Sequence, residues 1–238
     1  MTITTPQQSP LSDESDRVST LAKPGIDLAA LNARFEGAPT EEILAWAFGM
    51  FAPALSVVSS FQNCVLIDLA TRSDSCAEII FLDTGSHFAE TLTFVERVRQ
   101  LYDLNLKVVR PGADAEPWPC GSERCCEVRK VAPLNGVLRG RDAWLSGLKR
   151  SDTPNRASAP IVGWDSARSL VKVNPLACWT HDDISHYEAD HCLPVHPLKG
   201  LGYPSIGCQP TTRPVSPFED QRAGRWPGTD KTECGLHV

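Results

Sequence analysis

Glu78-Ile79-Ile80-Phe81-Leu82-Asp83-Thr84-Gly85 sets the fold class: one acid, then four consecutive apolar side chains, then a turn signal. A strand apolar on both faces belongs inside a covered sheet, as in parallel α/β proteins. Working outward, Phe88 to Tyr102 has helical spacing and Leu106 to Val109 reads as the next strand. On the other side, Ala54-Leu55-Ser56-Val57-Val58 is a short β-branched run, Ser59-Ser60 a turn, and Val65 to Ala70 helical. Ala143 to Leu148 and Leu170 to Val173 are further strand candidates. Strands alternating with helices predict an α/β domain: a parallel sheet with helices on both faces, binding ligands beyond the carboxyl ends of its strands. Thr40, Glu41 and Glu42 open a helix that Pro53 ends, and Thr180 with Asp183 forms a capping box for another.

A chain of 238 residues suits one such domain with a tail. The expected boundaries are a disordered leader at 1–24, an α/β nucleotide-binding domain at 25–213, and a mobile, extended C-terminal tail at 214–238 that carries Cys234, with hinges at Gly224, Gly228 and Gly235. A net charge of −6 argues against a nucleic-acid partner, which demands a cationic face. Basic residues nevertheless bunch at Arg124, Arg129 and Lys130, at Lys149-Arg150, and at Arg213, Arg222 and Arg225, enough for a local pocket for a small anion. Nine cysteines without a signal-peptide pattern predict the reducing cytoplasm. The longest apolar run, Ile43 to Val58, is broken by Pro53, so no membrane partner is expected.

Four places can carry chemistry, each with a plainer reading. Ser59-Ser60-Phe61-Gln62-Asn63, between a strand and a helix, can hold phosphate on backbone N–H groups or be an ordinary polar turn. Asp83-Thr84-Gly85 can accept hydrogen bonds from a ribose or adenine and let the ligand approach at Gly85, or simply reverse the chain. The pair Cys125-Cys126, with Arg129, Lys130 and the distant Cys208, suits a soft metal or an iron–sulfur cluster; buried structural thiols are the plainer reading, and the one preferred for Cys64, Cys76, Cys178 and Cys192. Cys234, within Glu233-Cys234-Gly235-Leu236-His237, sits on a terminus where it packs nothing, so reactivity explains it better than structure. Lys231 and His237 are expected to favour its thiolate and Glu233 to oppose it.

These elements together resemble the adenylylsulfate and phosphoadenylylsulfate reductase family of sulfate assimilation. The matching stretches are Phe81 to Thr91, Cys125 to Leu134, Tyr203-Pro204-Ser205-Ile206-Gly207-Cys208, Gly224-Arg225-Trp226, and Lys231 to His237. The resemblance implies an adenine nucleotide alpha hydrolase-like, ATP pyrophosphatase-like fold with the phosphate loop at Ser59 to Asn63. It implies reduction of adenylylsulfate to sulfite and AMP: the Cys234 thiolate attacks sulfur, an S-sulfocysteine forms, and thioredoxin releases sulfite. It also implies substrate contacts from Ser59, Ser60, Asp83, Gly85, Lys130, Arg150, Arg222 and Arg225, and a 4Fe-4S cluster on Cys125, Cys126 and Cys208.

Two departures from the family pattern matter. The phosphate loop lacks the glycine and the acid of its relatives, and Thr211 stands where a fourth cluster cysteine is expected. Three outcomes stay open: three thiolates with water or Thr211 completing a labile cluster, Cys120 as substitute, or no cluster. Competing functions are a phosphoadenylylsulfate reductase without a cluster, an ATP pyrophosphatase-type sulfur-transfer enzyme, and a redox-sensing nucleotide-binding module. Oligomeric state is not legible, and a homo-oligomer stays open.

Overall fold

The computed structural model describes residues 25–236; the expected leader and His237 lie outside the described residues. Helix α1 (Leu28–Phe35) is capped by Asp27, whose carboxylate accepts from the Ala30 N–H at 3.0 Å. Helix α2 (Thr40–Phe51) follows, then β1 (Leu55–Val58), α3 (Val65–Ser73), β2 (Glu78–Leu82), α4 (Ala89–Tyr102) and β3 (Leu106–Val109). A π-helical turn, Glu127–Val131, leads into α5 (Ala132–Val137) and β4 (Ala143–Ser146). Strands β5 (Val162–Asp165) and β6 (Leu170–Val173) precede α6 (His181–Asp190), which opens on the Thr180–Asp183 capping box.

The six strands form one sheet in the order β3-β2-β1-β4-β6-β5. Five are parallel; β5 runs antiparallel to β6 at the edge, which corrects the expectation of a wholly parallel sheet. Its sequence, Val162-Gly163-Trp164-Asp165, carries a glycine and an acid and gives no strand signal, yet an edge strand needs pairing on one side only.

Strand β2 is buried on both faces. Ile79 and Phe81 join a large core with α2, α3 and α4, while Ile80 and Leu82 join a smaller one with Leu134, Leu138, Trp144 and Leu170. Leu236 of the tail packs on that second core. The tail is thus part of the packed structure.

The chain moves outward from β1 in both directions, through β2 to β3 on one side and to β4 on the other, so the crevice between β1 and β4 is the topological switch point. Their ends are level, with Val58 opposite Ser146. The loops after them therefore open on the same rim.

Candidate active site

That rim encloses a cavity of about 200 Å³, lined by Ser59, Ser60 and Gln62 after β1 and by Ser146, Gly147 and Lys149 after β4. The loop at Ser59 to Asn63 makes its turn without glycine. Phe61 takes a positive φ of 56°, and its N–H bonds the Ser59 Oγ at 3.1 Å. Such a backbone costs a bulky residue about 1–3 kcal/mol. Burying the Phe61 ring against Phe81, centroids 5.4 Å apart, contributes about 2–3 kcal/mol and offsets it. Gln62 fastens the loop to the opposite wall, donating to Pro204 O at 3.2 Å and accepting from Ile206 N at 3.1 Å.

Lys130, Lys149, Arg156, Arg222 and Arg225 face this space, against the carboxylates of Asp152 and Glu233. An acidic protein has gathered a net cationic cavity. Burial works against the Lys130 charge, but the sulfurs of Cys208 and then Cys234 beside it hold its ammonium above its ordinary value. Burial, followed by the neighbouring Arg222, pulls Arg225 down. The Arg225 guanidinium is held by Ser205 Oγ and Ile206 O, each at 3.3 Å, and lies 4.6 Å from the Trp226 ring. A Cβ on Gly207 would run into that guanidinium, so only glycine leaves room for it. Arg225 Nε and His87 Nδ1 are buried without a partner among the described residues, and both residues line the cavity. The unmet Arg225 Nε–H and the charge around it are what an anionic ligand would satisfy, while His87, whose Nε2 donates to Leu82 O at 3.0 Å, leaves Nδ1 as an acceptor.

Cys234 lines the same cavity, half-buried, and the charges of Lys130, Arg156 and Arg225 all act on it. Glu233 fixes it there. Arg156 donates Nη2 to Glu233 Oε2 at 2.6 Å and Nε to Oε1 at 2.7 Å, and Thr153 Oγ1 donates at 3.1 Å. Arg156 also pairs with Asp152 at 2.9 Å, as does Lys149 at 2.7 Å. Burial pushes the Asp152 carboxyl up, but Lys149 and Arg156 together bring it below its usual value.

Several sequence expectations are relocated. Ser59, Ser60, Lys130, Arg222, Arg225 and Cys234 converge on the cavity. Arg150 does not line it: the guanidinium turns to Glu36, Nη1 to Oε1 at 2.6 Å, and Lys149 is the member of the pair that faces inward. Neighbours in an extended segment point opposite ways, and Lys149 is extended. Asp83 also lies outside the lining; it accepts from the Gly85 N–H at 3.0 Å and from Arg110 Nε at 2.9 Å, closing its own turn. Gly85 takes a φ of 70° beside Arg129. Lys231 points away from Cys234, with its Nζ 3.2 Å from Cys126 Sγ. Missed in the sequence were Asp152 and Arg156, whose partner Glu233 is 77 residues away and unreadable by local pattern; Lys149 reads there only with Arg150 as a basic pair.

Four more cysteines lie in two groups, Cys125 with Cys126 and Cys120 with Cys208 on either side of Thr211. Cys125 and Cys126, with sulfurs 3.9 Å apart, are buried at the entry to the π-helical turn that carries Lys130. Cys208 is buried 3.4 Å from Thr84 Oγ1, and Cys120 Sγ lies 3.9 Å from Thr211 Oγ1 in the turn that Cys208 opens. Cys120 first, then Lys130 and Thr84, hold Cys208 below the ordinary thiol value despite its burial. Among the described residues, no three His, Cys, Asp or Glu side chains are grouped to hold a single metal ion. An iron–sulfur cluster spreads its ligands wider than a lone ion does, and soft thiols beside cations fit that donor set.

A family model described as "Phosphoadenosine phosphosulfate reductase domain" matches residues 52–214 of this chain. The chain belongs to that family. An adenosine 5'-phosphosulfate reductase of Mycolicibacterium smegmatis is 40% identical over 215 residues, covering 87% of this chain and 91% of the relative. The crystal structure of a phosphoadenylyl-sulfate reductase from Candida auris, a phosphate complex, superposes with a TM-score of 0.70 at 25% identity, over 78% of this chain and 96% of that one. The fold alone is shared with an FMN adenylyltransferase of Candida glabrata, at a TM-score of 0.58 and 17% identity over 84% of this chain and 71% of that one. The fold is thus of the adenine nucleotide alpha hydrolase-like kind. Among the described residues, no helix is long and apolar enough to cross a membrane.

Proposed function

We propose that this family member is an assimilatory sulfonucleotide reductase that converts adenylylsulfate to sulfite and AMP, with Cys234 as nucleophile. The observation that carries the reading is Cys234 held by the docked tail inside a cationic cavity at the switch point of the sheet. Its relatives named adenosine 5'-phosphosulfate reductase support the same substrate. The Cys234 thiolate attacks the sulfur of the bound nucleotide, a sulfur–sulfur bond forms, and the bond from sulfur to the bridging oxygen breaks. AMP leaves with that electron pair, and an S-sulfocysteine remains on the enzyme. A dithiol then reduces it: one thiolate attacks the Cys234 sulfur, sulfite departs, and the second thiol closes a disulfide. Thioredoxin, a cytoplasmic dithiol carrier, suits this step.

Substrate and intermediate are both anionic, so fixed cations stabilise the transfer. Lys130, Arg222 and Arg225 take the sulfate and phosphate oxygens, with Lys149 and Arg156 completing the ring in place of Arg150. Ser59 and Ser60 offer hydroxyls at the phosphate loop, and Asp83 and Gly85 support the nucleotide site from behind it. A 4Fe-4S cluster on Cys125, Cys126 and Cys208 would supply a soft metal centre joining the Lys130 turn to the Cys208 loop. Turnover with adenylylsulfate and with its 3'-phosphorylated form tests the reading: adenylylsulfate is the faster substrate, and Cys234→Ser abolishes sulfite formation. A strong preference for the 3'-phosphorylated nucleotide contradicts it.

A further inference from the structure

Thr211, three residues past Cys208, lies in the 3-10 turn Gln209–Thr211, and its hydroxyl is a hard, weakly acidic donor that suits iron poorly. The structure brings another thiol to that spot. Cys120 Sγ is 3.9 Å from Thr211 Oγ1, which in turn donates to Cys208 O at 3.4 Å. Of the nine cysteines, all free, Cys120 is the one outside the family-matched positions that reaches this group.

The loop that carries Cys120 is held in place. Arg129 reaches across it, donating to Trp118 O at 2.8 Å, Ala115 O at 3.0 Å and Thr84 O at 2.9 Å. One guanidinium therefore ties the loop to the end of β2, beside Cys208. Gly121 turns the chain at a φ of 96° and lies so close that a Cβ there would sit 3.5 Å from the Thr211 methyl. Within the loop the Ser122 N–H bonds Pro119 O and the Cys125 N–H bonds Ser122 O. Ser122 Oγ is buried without a partner among the described residues, and a hollow between Ser122, Cys125, Thr211 and Lys231 adjoins it. An unmet donor, an adjoining space that Cys125 and Thr211 both line, and a thiol beside Thr211 are unexplained by packing alone.

We propose that Cys120 is the fourth thiolate of a 4Fe-4S cluster completed by Cys125, Cys126 and Cys208, occupying in space the role that Thr211 cannot fill in sequence. The identity of the centre rests on the reductase reading; the choice of ligand rests on where the thiols lie. Lys130 and Lys231 offset the negative charge that four thiolates bring.

The test is iron and acid-labile sulfide per chain, with electron paramagnetic resonance, on full-length protein purified without oxygen. The wild-type chain carries about four irons. Cys120→Ser loses at least about half of them, or shows a three-iron signal after mild oxidation, while Cys192→Ser, remote and exposed, keeps the wild-type content. Cys120→Ser/Thr211→Cys regains the cluster. Should Cys120→Ser fail to accumulate, alkylation of the wild-type protein decides: Cys120 is protected while iron is bound and labelled once a chelator removes it. Unchanged iron and spectra in Cys120→Ser, or free labelling of Cys120 in the iron-loaded protein, overturns the assignment. So does an iron-free wild type that still makes sulfite, a result that leaves the reductase reading standing; an iron-loaded, correctly ligated chain that never reduces a sulfonucleotide removes that reading instead.

Discussion

Glu233 and Arg156 meet in a two-pronged ion pair, 2.6 and 2.7 Å, that lies next to the proposed nucleophile and joins the tail to the segment after β4. Both side chains are nearly buried, at 16% and 11% exposure, so the pair is poorly screened and costly to break from one side. The residue before Cys234 is therefore an anchor for the tail.

Glu233→Gln is expected to undock the tail by removing the charge and leaving Arg156 with Asp152 alone. A loss of about 3 kcal/mol corresponds to ~100-fold less docked tail. Hydrogen exchange at residues 231–236 should rise and kcat/KM fall together. Unchanged exchange would deny the anchor.

Arg225 works by its placement as well as its charge, since its Nη1 donates to both Ser205 Oγ and Ile206 O, which leaves Nε and Nη2 for a ligand. Arg225→Lys should lower kcat/KM by ~10²–10³-fold with little change in melting temperature. Gly207→Ala should act in the same direction, because the added methyl displaces the guanidinium. Steady-state kinetics on both variants check this.

Lys149 and Arg150 should separate cleanly. Arg150→Ala breaks a pair whose Glu36 partner is more than half exposed, and turnover should stay within about twofold. Lys149→Ala strips a buried cation from the cavity and should cost at least about tenfold in kcat/KM. Equal effects from the two would contradict the inward placement of Lys149.

Stability should depend on pH through His196. It is fully buried; burial first, then Lys199, pushes it down to about 4. Its Nδ1 accepts from the Leu198 N–H at 3.2 Å, so Nε2 carries the proton toward Thr91 Oγ1 at 3.0 Å. The unfolded chain binds the extra proton near its ordinary value of 6.5, and the folded chain only near 4. The contribution is full above the ordinary value and is lost as pH falls through that window, about 3 kcal/mol in all. Urea titrations between pH 7 and pH 4 should show it, and His196→Gln should flatten the profile.

Much of the fold was legible because β1, β2, β3, β4 and β6 are short apolar runs closed by turn residues. Edge strand β5 was hidden by Gly163 and Asp165. At the site, motif residues such as Lys130, Arg225 and Cys234 could be read because each lies in a contiguous signature. Arg156 could not, since its value comes from a distant partner, and the choice between Lys149 and Arg150 depended on side-chain direction, which adjacency in sequence does not give. The loop at Ser59 to Asn63, without glycine, was legible as an oddity but not as a solution, because the burial of Phe61 that offsets its positive φ is a tertiary contact.

The most direct measurement is mass spectrometry of the intact protein after incubation with adenylylsulfate and no reductant, followed by peptide mapping. One added sulfonate on Cys234, removed by reduced thioredoxin with release of sulfite, is the predicted result. An unmodified Cys234 in a preparation that turns over once reductant is added, or a sulfonate on another cysteine, would contradict it.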